Sequence, residues 1–114
     1  WTGRQVVHHV ADSHMNAFVR FRLALTEDKP TIKPYKEAEW AKLADSTTED
    51  PALSVQILDG LHHRWHFMLE AMTETDFARA AIHPEHGPVT LDWFLQLYAW
   101  HGRHHIGHLK LTGQ

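Results

Sequence analysis

The chain has 114 residues, the size of a single domain, and contains twelve histidines but no cysteine. A hydrophobic content of 43% with 22% charged residues is typical of a globular chain and argues against disorder. The net charge of −3 offers no basic surface for nucleic acid or an anionic membrane. No apolar run approaches the roughly 18 residues that a membrane span needs. The lack of cysteine excludes disulfides and thiolate ligands, and it fits a reducing, cytoplasmic compartment.

The first predicted helix covers residues 3–25. Thr2 and Gln5 have the spacing of a capping box, in which each side chain satisfies a backbone N–H of the other residue. Apolar side chains then recur every three or four residues as far as Leu25. Residues 26–50 contain prolines and two polar clusters, which predict a long connection with one helical turn around residues 37–43.

Two further helices are predicted at residues 51–72 and 90–112. Asp50 before Pro51 is a strong start signal, because a carboxylate cap precedes proline at the first helical position. Thr90 caps the last helix, and Gly113 follows its end. The sequence therefore predicts an all-α bundle in one domain, residues 1–114. Because the chain opens one residue before a helix cap, we also expect it to be truncated at its N-terminus.

The last predicted helix carries a stripe of histidines. Phe94, Tyr98, His101, His105 and His108 fall on one face at 100° per residue. His101 and His105 are four residues apart, about 6 Å along the axis, so both imidazoles can reach one ion.

A third imidazole is available from the first helix. His9, Ser13, Asn16 and Arg20 form a polar stripe along one edge of its apolar face. His9 would bring a ligand from a different helix to the pair on the last helix. Three histidines with open positions for water are typical of catalytic metal sites.

Other histidine pairs have the same spacing and are alternative candidates for the metal-binding pair. His104 with His108 and His62 with His66 are each four residues apart, and a lone pair of this kind is a weak motif. His14 is interpreted as a hydrogen-bonded core histidine. The remaining histidines are interpreted as solvated surface residues: His8, His63, His83 and His86.

Two runs resemble the YfiT-like branch of the DinB superfamily. They are WTGRQVVHHVADSH at residues 1–14 and YAWHGRHHIGH at residues 98–108. The similarity extends through Pro34-Tyr35 and His83-Pro84, so it covers nearly the whole chain.

The resemblance implies a four-helix bundle whose first helix is absent from this chain. It also implies one divalent ion, zinc or nickel, held by three histidines. These fall on His9, with His8 as the neighbouring alternative, and on His101 and His105. The depths of these residues in their helices predict that the first and last helices run antiparallel, with a long crossover after the first helix.

The resemblance implies a metal-dependent hydrolase that activates water to attack a small-molecule substrate. An S-transferase for a low-molecular-weight thiol such as bacillithiol is the alternative, and a non-catalytic metal-binding or structural module is the third. Asp12, Asn16 and Arg20 are candidates for orienting ligands or contacting substrate. The resemblance is also compatible with a homodimer.

Overall fold

The computed structural model describes residues 1–97 of the chain. Two long helices and a short β-hairpin dominate this part. In chain order the elements are α1 (Gly3–Thr26), α2 (Glu37–Trp40), α3 (Ala44–Thr48), α4 (Pro51–Ala71), α5 (Glu74–Phe77), β1 (Ala80–His83) and β2 (Gly87–Thr90). Residues 91–97 are helical and lie inside the predicted last helix, whose remainder is outside the described residues. No helix within residues 1–97 is long and apolar enough to cross a membrane.

Side chains supply hydrogen-bond partners for backbone groups at both ends of α1. The Thr2 hydroxyl accepts from the Gln5 amide at 3.2 Å, and Gln5 Oε1 accepts from the Thr2 amide at 2.9 Å, so the predicted capping box is confirmed. At the other end, Arg79 Nε donates to the Ala24 carbonyl at 2.7 Å, and Arg79 Nη2 donates to the Glu27 carbonyl at 3.1 Å. A positive charge at these carbonyls also complements the negative end of the helix dipole.

The start of α4 agrees with the sequence prediction as well. The Ala52 amide donates to Asp50 Oδ1 at 2.9 Å, and Pro51 occupies the first helical position. The predicted bounds of these two helices, residues 3–25 and 51–72, each lie within one residue of the observed ones.

Contacts between α1 and α4 show that these helices run parallel. Near their starts His8 meets Ser54, further along His14 meets His62, and towards their ends Phe21 meets Trp65. The connection of residues 27–50 therefore returns along the bundle, as the predicted long crossover requires. It contains the two short helices α2 and α3 in place of the single predicted turn.

The β-hairpin lies mostly between the predicted helices at residues 51–72 and 90–112, where the sequence predicts no regular element. Strands β1 and β2 pair antiparallel, with Ala81 opposite Val89, and Gly87 takes a positive φ of 69° at the turn. The amide of Ile32 donates to the carbonyl of Ile82 at 2.9 Å, which attaches the connection to the edge of the hairpin.

The core lies where α1, α4, the hairpin and residues 91–97 meet. Phe21 is completely buried, and Trp65 packs edge-on against it at 5.2 Å between ring centroids. Leu91 and Phe94 from the final helical segment belong to the same apolar cluster. The first part of the predicted histidine stripe therefore faces the core at Phe94.

Candidate metal centre

His8 is a buried structural residue between α1 and α4. Its Nδ1 lies 2.6 Å from the Ser54 hydroxyl, and its Nε2 lies 3.0 Å from the Glu49 carbonyl oxygen. Because a carbonyl can only accept, Nε2 carries the proton and Nδ1 accepts from Ser54. The interpretation of His8 as a surface histidine is therefore wrong, since this residue is only 7% exposed.

His9 occupies different surroundings one residue further along α1. It is 6% exposed, and its ring meets Trp1 edge-on at 5.0 Å with an interplanar angle of 65°. The 100° turn per residue separates the directions of His8 and His9 around the helix. Because both ring nitrogens of His8 have partners within the fold, His8 could bind an ion only by giving up one of these bonds.

The polar stripe that begins at His9 continues along α1 in mostly structural roles. Ser13 is buried. Asn16 Nδ2 donates to the Asp12 carbonyl at 2.8 Å, and Arg20 Nη2 donates to the Lys33 carbonyl at 3.0 Å. The Arg20 bond joins α1 to the connection that follows it.

Asp12 lies in an environment that disfavours its charge. Burial raises the pKa of the Asp12 carboxyl above its ordinary value, and the negative charge of Asp45 adds to the increase. The neighbouring His8 opposes this effect and lowers the pKa of Asp12 to a smaller extent. Asp12 therefore interacts electrostatically with His8 and with α3.

The histidine pair on α4 does not act as a unit. His62 Nε2 lies 2.7 Å from Nδ1 of His14 on α1, whereas His66 Nε2 lies 2.9 Å from Glu70 Oε1. The side chain of His66 is 73% exposed. The two imidazoles have separate partners, so nothing in their arrangement favours a shared ion.

His83 and His86 form a second local histidine contact, at the hairpin turn. Their ring centroids are 4.6 Å apart, and His83 Nδ1 accepts from the Glu85 amide at 3.0 Å. Burial lowers the pKa of His83, and the proximity of His86 lowers it further. This histidine holds the turn together, a role beyond that of a solvated surface residue.

The predicted pair His101 and His105 lies outside the described residues, as do His104 and His108. Across residues 1–97 no three histidine, aspartate or glutamate side chains converge in a way that could hold an ion. Of the three predicted ligands, the structure therefore describes His9 alone.

The fold and the family comparison agree on the class of protein. The model of the DinB superfamily matches residues 1–109, so this chain belongs to the DinB superfamily. Within that superfamily its relatives are YfiT-like proteins whose names describe candidate metal-dependent hydrolases. YfiT of Bacillus subtilis is 50% identical over 110 residues, which are 96% of this chain and 62% of YfiT. A relative from Bacillus mycoides (strain KBAB4) is 52% identical over 109 residues, with the same coverage.

The solved structure of Bacillus subtilis YfiT matches this chain with a TM-score of 0.94 at 49% identity. The match covers 98% of this chain and 65% of that structure, which is described as having an unusual four-helix bundle topology. The predicted DinB-like fold is therefore confirmed. The chain spans about three-fifths of the length of the relatives it matches.

Proposed function

We propose that this chain is the metal-binding part of a hydrolase, in which His9, His101 and His105 hold one divalent ion. The observation that carries the proposal is that both ring nitrogens of His8, the neighbouring alternative, already hold bonds to Ser54 and Glu49 within the fold. His9 is buried one residue further along α1, on another side of the helix, where its ring contacts Trp1. The metal dependence named for the relatives supports the same conclusion.

The surroundings of His9 fit a metal ligand. Imidazole suits both zinc and nickel, and it must be neutral to bind either of them. When bound, a divalent ion held by three neutral imidazoles supplies Lewis acidity that lowers the pKa of water to about 7.

The rest of α1 fixes the position of His9. The bonds from His8 to Ser54 and Glu49 set the rotation of α1 relative to α4. Adjacent residues of a helix keep a fixed angle of about 100° to each other around the axis, so the same bonds orient His9. We propose that His8 is a positioning residue for the ligand beside it.

The sequence predicts that the other two ligands follow Phe94 on the last predicted helix. Phe94 is 2% exposed, and His101 and His105 follow it by seven and eleven residues. These intervals keep all three residues on one helical face. If the predicted helix continues through these residues, the proposed pair would share a face with a residue that packs in the core.

The same ion could instead bind a thiol as thiolate, which would make the protein an S-transferase. Because the chain has no cysteine, the thiol would have to come from a second substrate. A purely structural ion is the third use. Hydrolysis and thiol transfer give different products, whereas a structural ion gives none and is recognised by loss of the fold when it is removed.

The test compares the metal-loaded protein with the protein after chelation. We expect the loaded protein to hydrolyse nitrophenyl esters without added thiol, and we expect chelation to abolish the activity while α-helical circular dichroism stays largely unchanged. Activity that appears only with added thiol and an electrophile would replace hydrolysis by transfer. Unfolding on chelation, with no catalysis in the loaded state, would contradict a catalytic role.

A further inference from the structure

A groove of about 580 Å³ lies beside the second half of α1, and the proposed metal site does not include it. We call it the basic groove. Val19 and Leu23 of α1 supply exposed apolar surface to it, and the connection after α1 forms its other wall. Tyr35 and Trp40 on that wall are in ring contact at 4.4 Å between centroids. The groove therefore offers an apolar, partly aromatic surface to a ligand.

Positive charge concentrates at this groove although the chain as a whole is negative. Arg20, Lys33 and Lys36 line it, in a protein whose net charge is −3. Glu39 is the carboxylate among the described lining residues, and its Oε1 is paired with Lys42 Nζ at 3.2 Å. Cations in a partly enclosed cleft raise the local concentration of anions.

The hydrogen bond between Arg20 and the Lys33 carbonyl fixes the walls of the groove relative to each other. It joins α1 to the connection at 3.0 Å and holds the guanidinium at the groove. A planar guanidinium with several donors is well suited to carboxylate and phosphate groups. The cationic part of the groove is thus attached to the helix that carries His9.

The groove and His9 lie on one face of α1. At 100° per residue, Asn16, Arg20 and Leu23 fall within about 40° of His9 around the helix. Asn16 lies about 10 Å and Arg20 about 16 Å from His9 along the helix axis, at 1.5 Å per residue. A single extended molecule could therefore span from His9 to the basic groove.

We propose that the basic groove binds the anionic end of an elongated substrate whose reacting group lies at His9. This inference rests on the proposed function, because it assigns a substrate class to that site. The substrate carries a carboxylate or phosphate separated from its reacting carbonyl by an apolar or aromatic segment. Tyr35 and Trp40 contact that segment, and Lys33 and Lys36 attract the anion.

The first test measures binding alone, in the metal-free chain, so that it does not depend on catalysis. The probes are 1-naphthylacetate and its uncharged isostere 1-naphthylacetamide, titrated by calorimetry. We expect the anion to bind about fivefold more tightly, which corresponds to two exposed charge interactions of roughly 0.5 kcal/mol each. The double variant Lys33→Gln/Lys36→Gln should lose this preference. Arg64→Gln on α4 removes one charge elsewhere and should keep it.

Equal affinity for the two probes, or a preference that survives in the double variant, would overturn the inference. Inorganic phosphate as a competitor distinguishes the two anion classes. If it displaces 1-naphthylacetate and free acetate does not, the natural group is a phosphate; the reverse result indicates a carboxylate.

The second test links the groove to the reaction of the metal-loaded protein. Its substrates are 4-nitrophenyl hydrogen tetradecanedioate, whose extended chain is long enough to carry a terminal carboxylate from His9 to Arg20, and 4-nitrophenyl tetradecanoate, which has no carboxylate. We expect a several-fold preference in kcat/KM for the tetradecanedioate ester, expressed in KM, and its loss in the double variant. If neither ester is hydrolysed the proposed function fails, and the binding test alone then decides the role of the groove. Hydrolysis of both esters at equal kcat/KM would show that the groove does not select the substrate.

Discussion

The imidazole of His8 on α1 and the hydroxyl of Ser54 on α4 form a buried hydrogen bond of 2.6 Å between two parallel helices. The other ring nitrogen of His8 donates to the Glu49 carbonyl, so the ring is satisfied on both sides. This residue therefore connects the packing of the bundle with the orientation of His9.

Replacing His8 by Ala should destabilise the protein by about 2–3 kcal/mol, because the Ser54 hydroxyl and Glu49 carbonyl lose their partner in a buried site. Urea unfolding measures this loss. His63→Ala is the matched control, since the side chain of His63 is 82% exposed, and it should change stability little. A His8→Ala protein of unchanged stability would contradict the structural role assigned to this histidine.

The two histidines of the His62–His66 pair should behave differently. His62→Ala removes a 2.7 Å contact with His14 between helices and should cost about 1 kcal/mol. His66→Ala removes an exposed contact with Glu70 and should cost about 0.5 kcal/mol or less. Thermal unfolding of both variants tests this. Equal losses would show that the contact between α1 and α4 does not contribute.

Asp12→Asn should stabilise the protein at neutral pH. The pKa of Asp12 is raised in the folded state, so its contribution to stability is complete below the ordinary pKa of about 4 and is lost as pH rises through the folded pKa. Removing the charge should therefore increase the urea midpoint at pH 7 and have little effect near pH 3.5. Asp59→Asn, at a side chain that is 80% exposed, is the control and should show no such pH-dependent gain. A loss of stability for Asp12→Asn at neutral pH would contradict the assigned environment.

The core around Trp65 should be sensitive to truncation. Phe21→Ala removes a fully buried ring that packs on Trp65 and should cost about 3–5 kcal/mol. Leu43→Ala, at a residue that is 57% exposed, should cost far less. Guanidinium unfolding gives both values. Similar losses in the two variants would show that the apolar cluster does not dominate the free energy of unfolding.

The sequence was sufficient for the long helices because their start signals are local. Thr2 with Gln5 and Asp50 with Pro51 each act within three residues, and the structure confirms both. The hairpin was missed because each strand has only four residues, and its edge is completed by Ile32 from a distant part of the chain. Short strands of this kind give no clear alternating pattern.

The role of His8 was missed for a related reason. At 100° per residue His8 lies outside the apolar face of α1, and its partner Ser54 is 46 residues away in the sequence. No local rule identifies that pairing. His9 as a ligand rests on motif spacing and on the family resemblance, and the structure adds its burial and its contact with Trp1.

The most direct test of the account is the metal content of single histidine variants, measured by elemental analysis after equilibration with zinc or nickel. The wild-type chain should hold one ion, and loss of any proposed ligand should weaken binding about tenfold or more, because two imidazoles hold a divalent ion less well than three. His108→Ala should weaken binding less than His105→Ala. The variants expected to lose the ion are His9→Ala, His101→Ala and His105→Ala; those expected to keep it are His62→Ala, His66→Ala and His104→Ala. Retention of the ion by His9→Ala or His101→Ala, with its loss in His104→Ala and His108→Ala, would contradict the proposed site.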